Sequence, residues 1–496
     1  MNAYAQLKKI FKRISQLHYI QRILMWDDAV MMPEGAGVLR GQALATLNST
    51  THKMLVSKKT GRLLEQVKAE GDLSGWNQAN LAWMEKKYHS AVCTSSNLTE
   101  ELTKASMASE QIWRKLRAKN DWQTFYPYLE KVFLLTKEIA KRRSDALQIS
   151  MYDAMLDEYA PGFNQQDIDA VFADLKNTLP TIIQKITAKQ QVDKIIEPVG
   201  PFPVEKQKQL GLSMMKALCF DFQHGRLDVS HHPFCSGGPR DVRITTRYTE
   251  NEFLGSLFGV CHETGHALYE QGLPFKWLDQ PVGQIHSMAQ HESQSLLIET
   301  EVCHSLAFNE YLVPNLREQF GEQPAFTAQN LYKLLTRVTP GFIRVDADEV
   351  TYPLHVILRY EIEKALFSGD LMLRDMPAHW DELMQTYLGI STKDNYRDGV
   401  MQDVHWPAGA FGYFPAYTLG RLMASQLFTA YKKQSPHYQD DFRQGNFNSL
   451  HSWLKKNVYD YASSLPTNEL LQKVTGGALE PHYFIQHIED RYLHGC

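Results

Sequence analysis

Glycine and proline are scarce in this chain, and that scarcity restricts its fold more than any other feature. The 496 residues include 29 glycines and 21 prolines, about 10% together against about 12% in average proteins. Few residues therefore interrupt the backbone, which favours long helices over a sandwich or propeller of short strands. Near the N-terminus, apolar residues recur at steps of three and four, as on one face of a helix: Leu7, Ile10, Phe11, Ile14 and Leu17.

Helical patterns continue along most of the chain and are interrupted at a few short segments. The clearest interruption is 197–206, which contains three prolines. The octet 241–248 alternates apolar or β-branched residues with polar ones and predicts a short strand. Helical patterns resume at Glu250. Since no repeat, low-complexity tract or flexible linker divides the sequence, we expect one mainly α-helical unit over residues 1–496.

Composition excludes several classes of function. The chain has 52 basic and 56 acidic residues and a net charge of −4, so it lacks a basic footprint for nucleic acid or an anionic membrane. No stretch reaches the ~18 apolar residues of a membrane-spanning helix, and the N-terminus has no secretory signal. The six cysteines form no CxxC pair, which favours free thiols in a reducing compartment. We therefore expect a cytoplasmic protein.

The strongest chemical signal is a pair of histidines four residues apart, His262 and His266, with Glu263 directly after the first. On a helix these histidines are rotated by only ~40° and separated by ~6 Å, so both can bind one tetrahedral Zn²⁺. Glu263 lies about a quarter-turn away, where it can accept the proton of an attacking water. Chance predicts only about 0.04 such patterns in a chain of this composition. Apolar neighbours also argue against the alternative of a solvated helix.

A catalytic zinc site of this type needs a third protein ligand. Glu292 follows His266 by 26 residues, enough for a loop and an antiparallel helix, and this spacing favours it. Glu299, two turns further on, suits a position behind the ligands. Glu270 lies on the same helix as the histidines and points along its axis, which makes it a poor candidate. The segment 285–306 also carries Glu301, and two histidines remain alternatives, His291 and His304.

Further short motifs are spread along the chain, at 25–42, 232–234, 241–245, 283–287, 291–295, 343–348, 399–406 and 409–420. Together with the histidine pair, they resemble the carboxypeptidase Taq-type thermostable metallocarboxypeptidases over nearly the whole chain. The resemblance implies a large helical fold related to neurolysin and angiotensin-converting enzyme, with a deep cleft between two helical halves. We expect the predicted strand to lie in a small sheet near the metal helix.

The same resemblance implies what the chain does. It implies a single metallocarboxypeptidase domain over residues 1–496 that releases single amino acids from the C-termini of peptides, with broad side-chain specificity. It also implies one divalent metal ion, usually zinc although cobalt supports activity in relatives, and a homodimer. None of these points follows from composition or periodicity.

A carboxypeptidase must recognise a free α-carboxylate, which the planar guanidinium of arginine can pair with bidentately. The candidates are Arg243, Arg247, Arg344 and Arg359. Arg344 lies in a segment that breaks the helical pattern, and the resemblance assigns the corresponding arginine to the substrate's terminus. The alternative is a structural ion pair with Asp346 or Asp348. Arg243 is expected to pair with Asp241 and to fix the fold.

Peptide hydrolysis passes through a tetrahedral oxyanion, which usually needs a hydrogen-bond donor besides the metal. The segment 403–417 is rich in glycine and aromatic residues and offers His405 and Tyr413. The resemblance supports this assignment, because the wider fold group places a His and one or two Tyr from this region over the scissile bond. The sequence does not separate Tyr413 from Tyr417, and plain core packing is the alternative. Asp403 is a candidate to orient His405 as an acceptor, and simple packing of both residues is the alternative.

Two rival functions share these features. An oligopeptidase that cuts internal bonds could use the same metal site, and a helical peptide-binding scaffold could hold a structural metal. Structural zinc usually has four protein ligands, often cysteines, whereas Cys261 should point away from the metal and the sequence offers no fourth ligand. We therefore expect a zinc metallocarboxypeptidase that acts on peptides, without nucleic-acid or membrane partners.

Overall fold

The computed structural model describes residues 2–495, and helices account for most of them. The first nine α-helices are α1 (Ala3–Val30), α2 (Gly37–Leu55), α3 (Lys58–Glu70), α4 (Gly75–Val92), α5 (Ser96–Arg117), α6 (Trp122–Leu147), α7 (Met151–Tyr159), α8 (Gln165–Gln190) and α9 (Val204–Ala217). The others are α10 (Leu254–Gly272), α11 (Met288–Leu296), α12 (Leu306–Phe320), α13 (Ala328–Leu335), α14 (Tyr352–Ser368), α15 (Met376–Leu388), α16 (Pro415–Gln434), α17 (Tyr438–Arg443), α18 (Asn448–Asn457), α19 (Thr467–Thr475) and α20 (His482–Ile488). The expectation of a mainly α-helical fold is confirmed.

A small sheet lies beside α10. Its strands are β1 (Gly225–Val229), β2 (Phe234–Gly238) and β3 (Asp241–Thr246). The central strand β3 runs parallel to β1 and antiparallel to β2, and its apolar side chains pack with those of α10 in one buried cluster. The strand predicted over 241–248 is confirmed for its first six residues. Strands β1 and β2 were not predicted from the sequence, because the two glycines in β2 and the shortness of both strands hide any alternation of side chains.

Helix α11 lies between α10 and α16, and both neighbours approach it through glycine. A Cβ atom at Gly265 of α10 would lie 2.4 Å from the backbone oxygen of Gln294. A Cβ atom at Gly420 of α16 would lie 2.8 Å from the backbone oxygen of Ala289 and 2.9 Å from Glu292 Cβ. These distances leave no room for a side chain at either glycine. The three helices are therefore packed backbone to backbone.

A deep cleft runs between the helical halves, as the resemblance implied. One cavity of about 740 Å³ lies between α10 and α11 on one wall and α14 and α16 on the other. A second cavity of about 610 Å³, bordered by α1 and α4, shares Met288 with the first. Both cavities therefore border the start of α11, where Met288 lies between them.

The helices of the described chain include none that is both long and apolar enough to span a membrane. The five cysteines among residues 2–495 are free thiols, as the sequence predicts. The sixth, Cys496, lies outside the described residues.

We expect Gly265→Ala to destabilise the protein, because the added methyl group would meet the backbone of α11. Overpacked core sites typically cost 1–3 kcal/mol, so chemical denaturation should show a free energy of unfolding lower by about 2 kcal/mol. Gly259→Ala is the matched control on the same helix, since its new methyl group would have Thr246 Oγ1 as its nearest neighbour, at 4.0 Å. That variant should gain about 0.5–1 kcal/mol. Equal stability of the two variants would contradict the packing argument.

Candidate active site

Helices α10 and α11 bring three potential metal ligands together in the 740 Å³ cavity. His262 and His266 lie one turn apart on α10, and Glu292 lies on α11. The Glu292 Oε2 atom is 3.4 Å from His266 Nε2 and 3.9 Å from His262 Nε2. The ligand atoms of all three residues lie within 4.8 Å of one another. That spacing suits ligands that each lie about 2 Å from one shared ion.

The Nδ1 atom of each of these histidines has its own hydrogen-bond acceptor. His262 Nδ1 donates to Glu299 Oε2 at 2.8 Å, and His266 Nδ1 donates to the backbone oxygen of His291 at 3.1 Å. Bonds of this kind fix the tautomer and the orientation of a ligand ring, so that Nε2 faces the metal position. Glu299 lies in a π-helical segment, Leu297–Cys303, that continues α11, which agrees with its expected place behind the ligands.

The charges of this group are tightly coupled. Burial would raise the pKa of Glu292, but a hydrogen bond from His266 and the charge of His262 lower it to about 2. Burial would lower the pKa of His262, but Glu299 and Glu292 raise it to about 10. Burial and His291 lower the pKa of His266 to about 3. In the metal-free protein His262 is therefore the cation of the group, and a metal ion at its Nε2 would displace a proton.

Glu263 lines the same cavity beside the first histidine. Burial is the main cause that raises the pKa of Glu263 to about 7. A carboxyl group with a pKa near neutrality can accept a proton in one step and return it in the next. Glu270, which the sequence analysis judged a poor ligand, lies 3.5 Å from His291 Nε2 and outside the group of three.

The opposite wall of the cleft carries two tyrosines. Tyr413 and Tyr417 both line the cavity, and their ring centroids are 5.2 Å apart. His405 lies one layer behind them and does not line the cavity; its Nε2 is 3.1 Å from the Tyr417 hydroxyl. Burial lowers the pKa of His405 to about 4, so the ring is neutral at pH 7. His405, which the sequence predicted for the cleft, therefore contacts Tyr417 and does not itself line the cleft.

Glu363, a buried glutamate that was not predicted from the sequence, holds in place the segment that carries His405, Tyr413 and Tyr417. Glu363 of α14 accepts hydrogen bonds from Trp406 Nε1 at 2.7 Å, from the Tyr152 hydroxyl at 2.7 Å and from the Gly412 amide at 2.9 Å. Burial raises the pKa of Glu363 to about 7. The only local signal was a glutamate within an apolar helical stretch, which does not identify its partners.

Arg344 lines the cavity, and its side chain is buried. Its Nε and Nη2 donate to Asp403 Oδ1 at 3.1 and 2.8 Å, and its Nη1 donates to the Tyr352 hydroxyl at 2.5 Å. The other Asp403 oxygen accepts from Arg359 Nε at 2.7 Å. Although burial opposes ionisation, the two arginines hold the pKa of Asp403 well below its ordinary value.

Two expectations about this region are corrected. The cleft arginine pairs with Asp403 rather than with Asp346 or Asp348, because Asp348 accepts hydrogen bonds from backbone amides. Asp403 does not orient His405 through a hydrogen bond, because both of its oxygens are bonded to arginines and the histidine is bonded to Tyr417. Asp403 is 59 residues from Arg344 and 44 residues from Arg359 in the chain.

The other candidate arginines lie outside the cavity lining. Arg243 donates to both oxygens of Asp241 at 2.9 Å, as expected, and its guanidinium lies over Trp26. Arg247 is exposed, and Arg359 is fully buried behind Asp403. Arg421, which was not among the arginines predicted from the sequence, lines the cavity together with Arg344.

Comparisons with known proteins agree with this architecture. A family model described as Carboxypeptidase Taq (M32) metallopeptidase matches residues 6–492. Thermostable carboxypeptidase 1 of Thermus thermophilus is 36% identical over 503 residues, which cover 99% of this chain and 98% of that protein. Carboxypeptidase 1 of Bacillus subtilis is 32% identical, covering 97% of this chain and 96% of that protein. The solved structure of Trypanosoma cruzi metallocarboxypeptidase 1 has a TM-score of 0.97 at 39% identity and covers 99% of both chains.

These matches and the helical cleft define a metal-dependent peptidase. More narrowly, the chain belongs to the Carboxypeptidase Taq (M32) metallopeptidase family and is a metal-dependent carboxypeptidase. A divalent metal ion and peptide substrates follow from that membership.

We expect His262→Ala, His266→Ala and Glu292→Ala each to lose the bound metal ion, because three ligands leave none to spare. Glu299→Gln should keep the ion with an affinity about 10- to 100-fold weaker, because this side chain orients His262 without touching the metal. Elemental analysis after dialysis measures the occupancy, and circular dichroism checks the fold. Full occupancy in Glu292→Ala, with complete loss in Glu299→Gln, would show that the two roles are exchanged.

Proposed function

We propose that His262, His266 and Glu292 hold one Zn²⁺ ion per chain, with Co²⁺ as the second candidate ion. The convergence of three ligand atoms within 4.8 Å carries this proposal. Two imidazoles and one carboxylate are a ligand set of catalytic zinc, which keeps a fourth position open for water or substrate. Among residues 2–495, no fourth His, Cys, Asp or Glu joins this group. The donor set therefore favours a catalytic ion over a structural one.

The roles of the cleft residues follow from their positions. When bound, the ion supplies a Lewis acid that polarises the scissile carbonyl and makes water more acidic. Glu263 accepts the proton of the attacking water and passes it to the leaving amine. Tyr413 and Tyr417 face the metal position from the other wall and donate hydrogen bonds to the developing oxyanion. His405 positions the Tyr417 hydroxyl from behind.

Arg344 gives the site its preference for chain ends in this proposal. Asp403 and Tyr352 hold its guanidinium in place, so little side-chain entropy is lost when a carboxylate binds. A free α-carboxylate on Arg344 places the last peptide bond at the metal, and the product is a single amino acid. Because this recognition uses the terminus and not the side chain, the side-chain specificity is broad.

We further propose a homodimer whose interface includes the N-terminal hairpin of α1 and α2. Helix α2 is exposed along most of its length. Val38 and Leu39 of α2 and Met25 and Met31 at the end of α1 are exposed apolar residues. A second copy would cover this patch, and light scattering measures the molar mass. The single domain over residues 1–496 and the cytoplasmic location stay predictions.

We expect Glu263→Gln to retain the metal and the fold but to lose hydrolysis by several orders of magnitude, because glutamine keeps the shape and cannot accept a proton. Glu270→Gln is the matched control, two turns further along the same helix and outside the cavity lining. It should keep near-normal kcat. Near-normal turnover by the Glu263 variant would refute its role as general base.

The role of Arg344 can be tested with N-blocked dipeptides that end in a free acid or an amide. A charge-assisted pair contributes roughly 1.5–3 kcal/mol, so amidation should lower kcat/KM of the wild type by about 10- to 150-fold. In Arg344→Ala the free acid should fall to a similar level, and amidation should then matter little.

Arg243→Ala is the control for that experiment, because Arg243 pairs with Asp241 and lies outside the cavity lining. It should leave the acid-to-amide ratio of the wild type unchanged. If amidation and Arg344→Ala have independent effects, Arg344 does not meet the carboxylate. If amidation has no effect on the wild type and internal bonds are cut, the protein acts as an oligopeptidase.

A further inference from the structure

The second cavity, of about 610 Å³, has no role in the proposed function. It adjoins the metal cavity, of about 740 Å³, on two walls. On one wall, Met288 lines both cavities and lies one helical turn, about 6 Å, before Glu292 on α11. On the other wall, Tyr159 lines the second cavity, and its ring centroid is 4.9 Å from that of Tyr413 in the metal cavity. A peptide bound at the metal position therefore has the second cavity beside it.

The lining of the second cavity combines apolar and charged side chains. Its apolar part comes from α1, from α4 and from the loop before α11, and it includes Phe11, Ile14, Trp83 and Ile285. Sites that bind organic ligands are typically lined by apolar side chains with a few polar groups, and their volumes are about 300–1,000 Å³. The second cavity therefore has the size and the surface to hold several residues of a peptide.

Both carboxylates that line the second cavity are already paired. Lys86 Nζ lies 2.7 Å from Asp157 Oδ1, and Arg143 forms an ion pair with Glu158. Each pair is neutral as a whole, so it contributes little to the potential of the cavity beyond its own surroundings. Within residues 2–495, no other Asp or Glu lines this cavity.

Lys87 of α4 is the cation of the second cavity that has no counter-ion. It forms no ion pair or hydrogen bond with any residue that the structure describes. Its side chain is exposed to solvent. It also lines a small neighbouring cavity of about 70 Å³, so it lies where the two cavities adjoin. A ligand in the second cavity therefore meets a lysine that is both accessible and unpaired.

A second cation without a counter-ion lies near Lys87. Arg22 of α1 lines the small cavity and forms no ion pair with any described residue. Asp279, the carboxylate of the small cavity, is paired with Lys12 at 2.7 Å. Burial lowers the pKa of Lys87, and the charges of Lys86 and Arg22 lower it further. The cations therefore repel one another, and an anion bound beside Lys87 would relieve that repulsion.

We propose that Lys87 is a specificity-determining residue that binds an acidic side chain of the substrate upstream of the scissile bond. This proposal rests on the proposed function, in which Arg344 holds the α-carboxylate and the last peptide bond lies at the metal. The rest of the peptide then extends past Met288 into the second cavity, where Lys87 lies. The apolar lining favours a peptide over a small inorganic anion, which needs only charged and polar groups. Peptides with an upstream Asp or Glu are then trimmed faster than neutral ones.

The test uses N-blocked six-residue alanine peptides that carry one Glu, or its neutral isostere Gln, in turn at each position before the last. The initial rate of release of the last residue gives kcat/KM for each peptide. In the wild type the ratio of Glu to Gln should rise to about three- to tenfold at one position or at two adjacent positions. Lys87→Gln should reduce that ratio to about one, and Lys87→Glu should bring it below one, because like charges repel.

Lys9→Gln is the matched control for Lys87→Gln. It removes the same charge from an exposed position of α1 that lies outside the lining of all three cavities. It should keep the ratio within about twofold of the wild type, because salt screens distant surface charges. Added salt should lower the ratio of the wild type towards one, since Lys87 is exposed and an exposed ion pair is screened.

The ratio compares two substrates on one enzyme preparation, so it does not depend on the fraction of a variant that is folded. A ratio near one at every position of the wild type, with the Gln peptides still hydrolysed, would overturn the proposal. An unchanged ratio in Lys87→Gln, or an equal fall in Lys9→Gln, would also overturn it. Failure of the wild type to release the last residue of the Gln peptides would count against the proposed function instead.

Discussion

The close approach of three helices determines the geometry of the site. Gly265 allows α10 to touch the backbone of α11, and Gly420 allows α16 to touch α11 beside Glu292. His262 and His266 lie on α10 and Glu292 lies on α11. The distances between their ligand atoms therefore depend on these backbone contacts. Protein interiors are packed like crystals and do not deform smoothly. A side chain at either glycine would therefore force α11 away from its neighbour and move Glu292 relative to the two histidines.

The cleft contains many buried charges, and burial is tolerated only when each charge is paired. Asp403 lies between Arg344 and Arg359, and the pair Glu301 and Glu349 lies between two arginines and a histidine. Such networks hold the guanidinium groups in fixed orientations. Because the groups are already ordered, a carboxylate that binds them loses little free energy to conformational entropy. In the proposed function, the fixed orientation of Arg344 therefore serves recognition of the substrate.

The sequence predicted the parts of the site that depend on local spacing. His262 and His266 share a helical face because they are four residues apart, and the 26-residue spacing to Glu292 placed the third candidate on the next helix. The family resemblance supplied the cleft and the choice among arginines. Neither local spacing nor the resemblance predicted that Arg344 pairs with Asp403, 59 residues away. A local sequence pattern does not specify which of two distant charged residues will form an ion pair. The strands β1 and β2 were missed for a related reason, since their pairing with β3 makes strands of segments with weak local preference.

In the proposed function, the metal ion and Arg344 act together on an anionic substrate. Glu263, Glu292 and Glu299 all line the cavity, and like charges repel a substrate that ends in a carboxylate. In the metal-free protein, one imidazolium at His262 offsets only part of that charge. In the proposed function, a divalent ion held by His262, His266 and Glu292 would bring two positive charges to the cleft, and the potential of the cleft would become more favourable to a carboxylate. The ion would then contribute to the recognition of chain ends as well as to hydrolysis, while Arg344 would fix where the α-carboxylate lies.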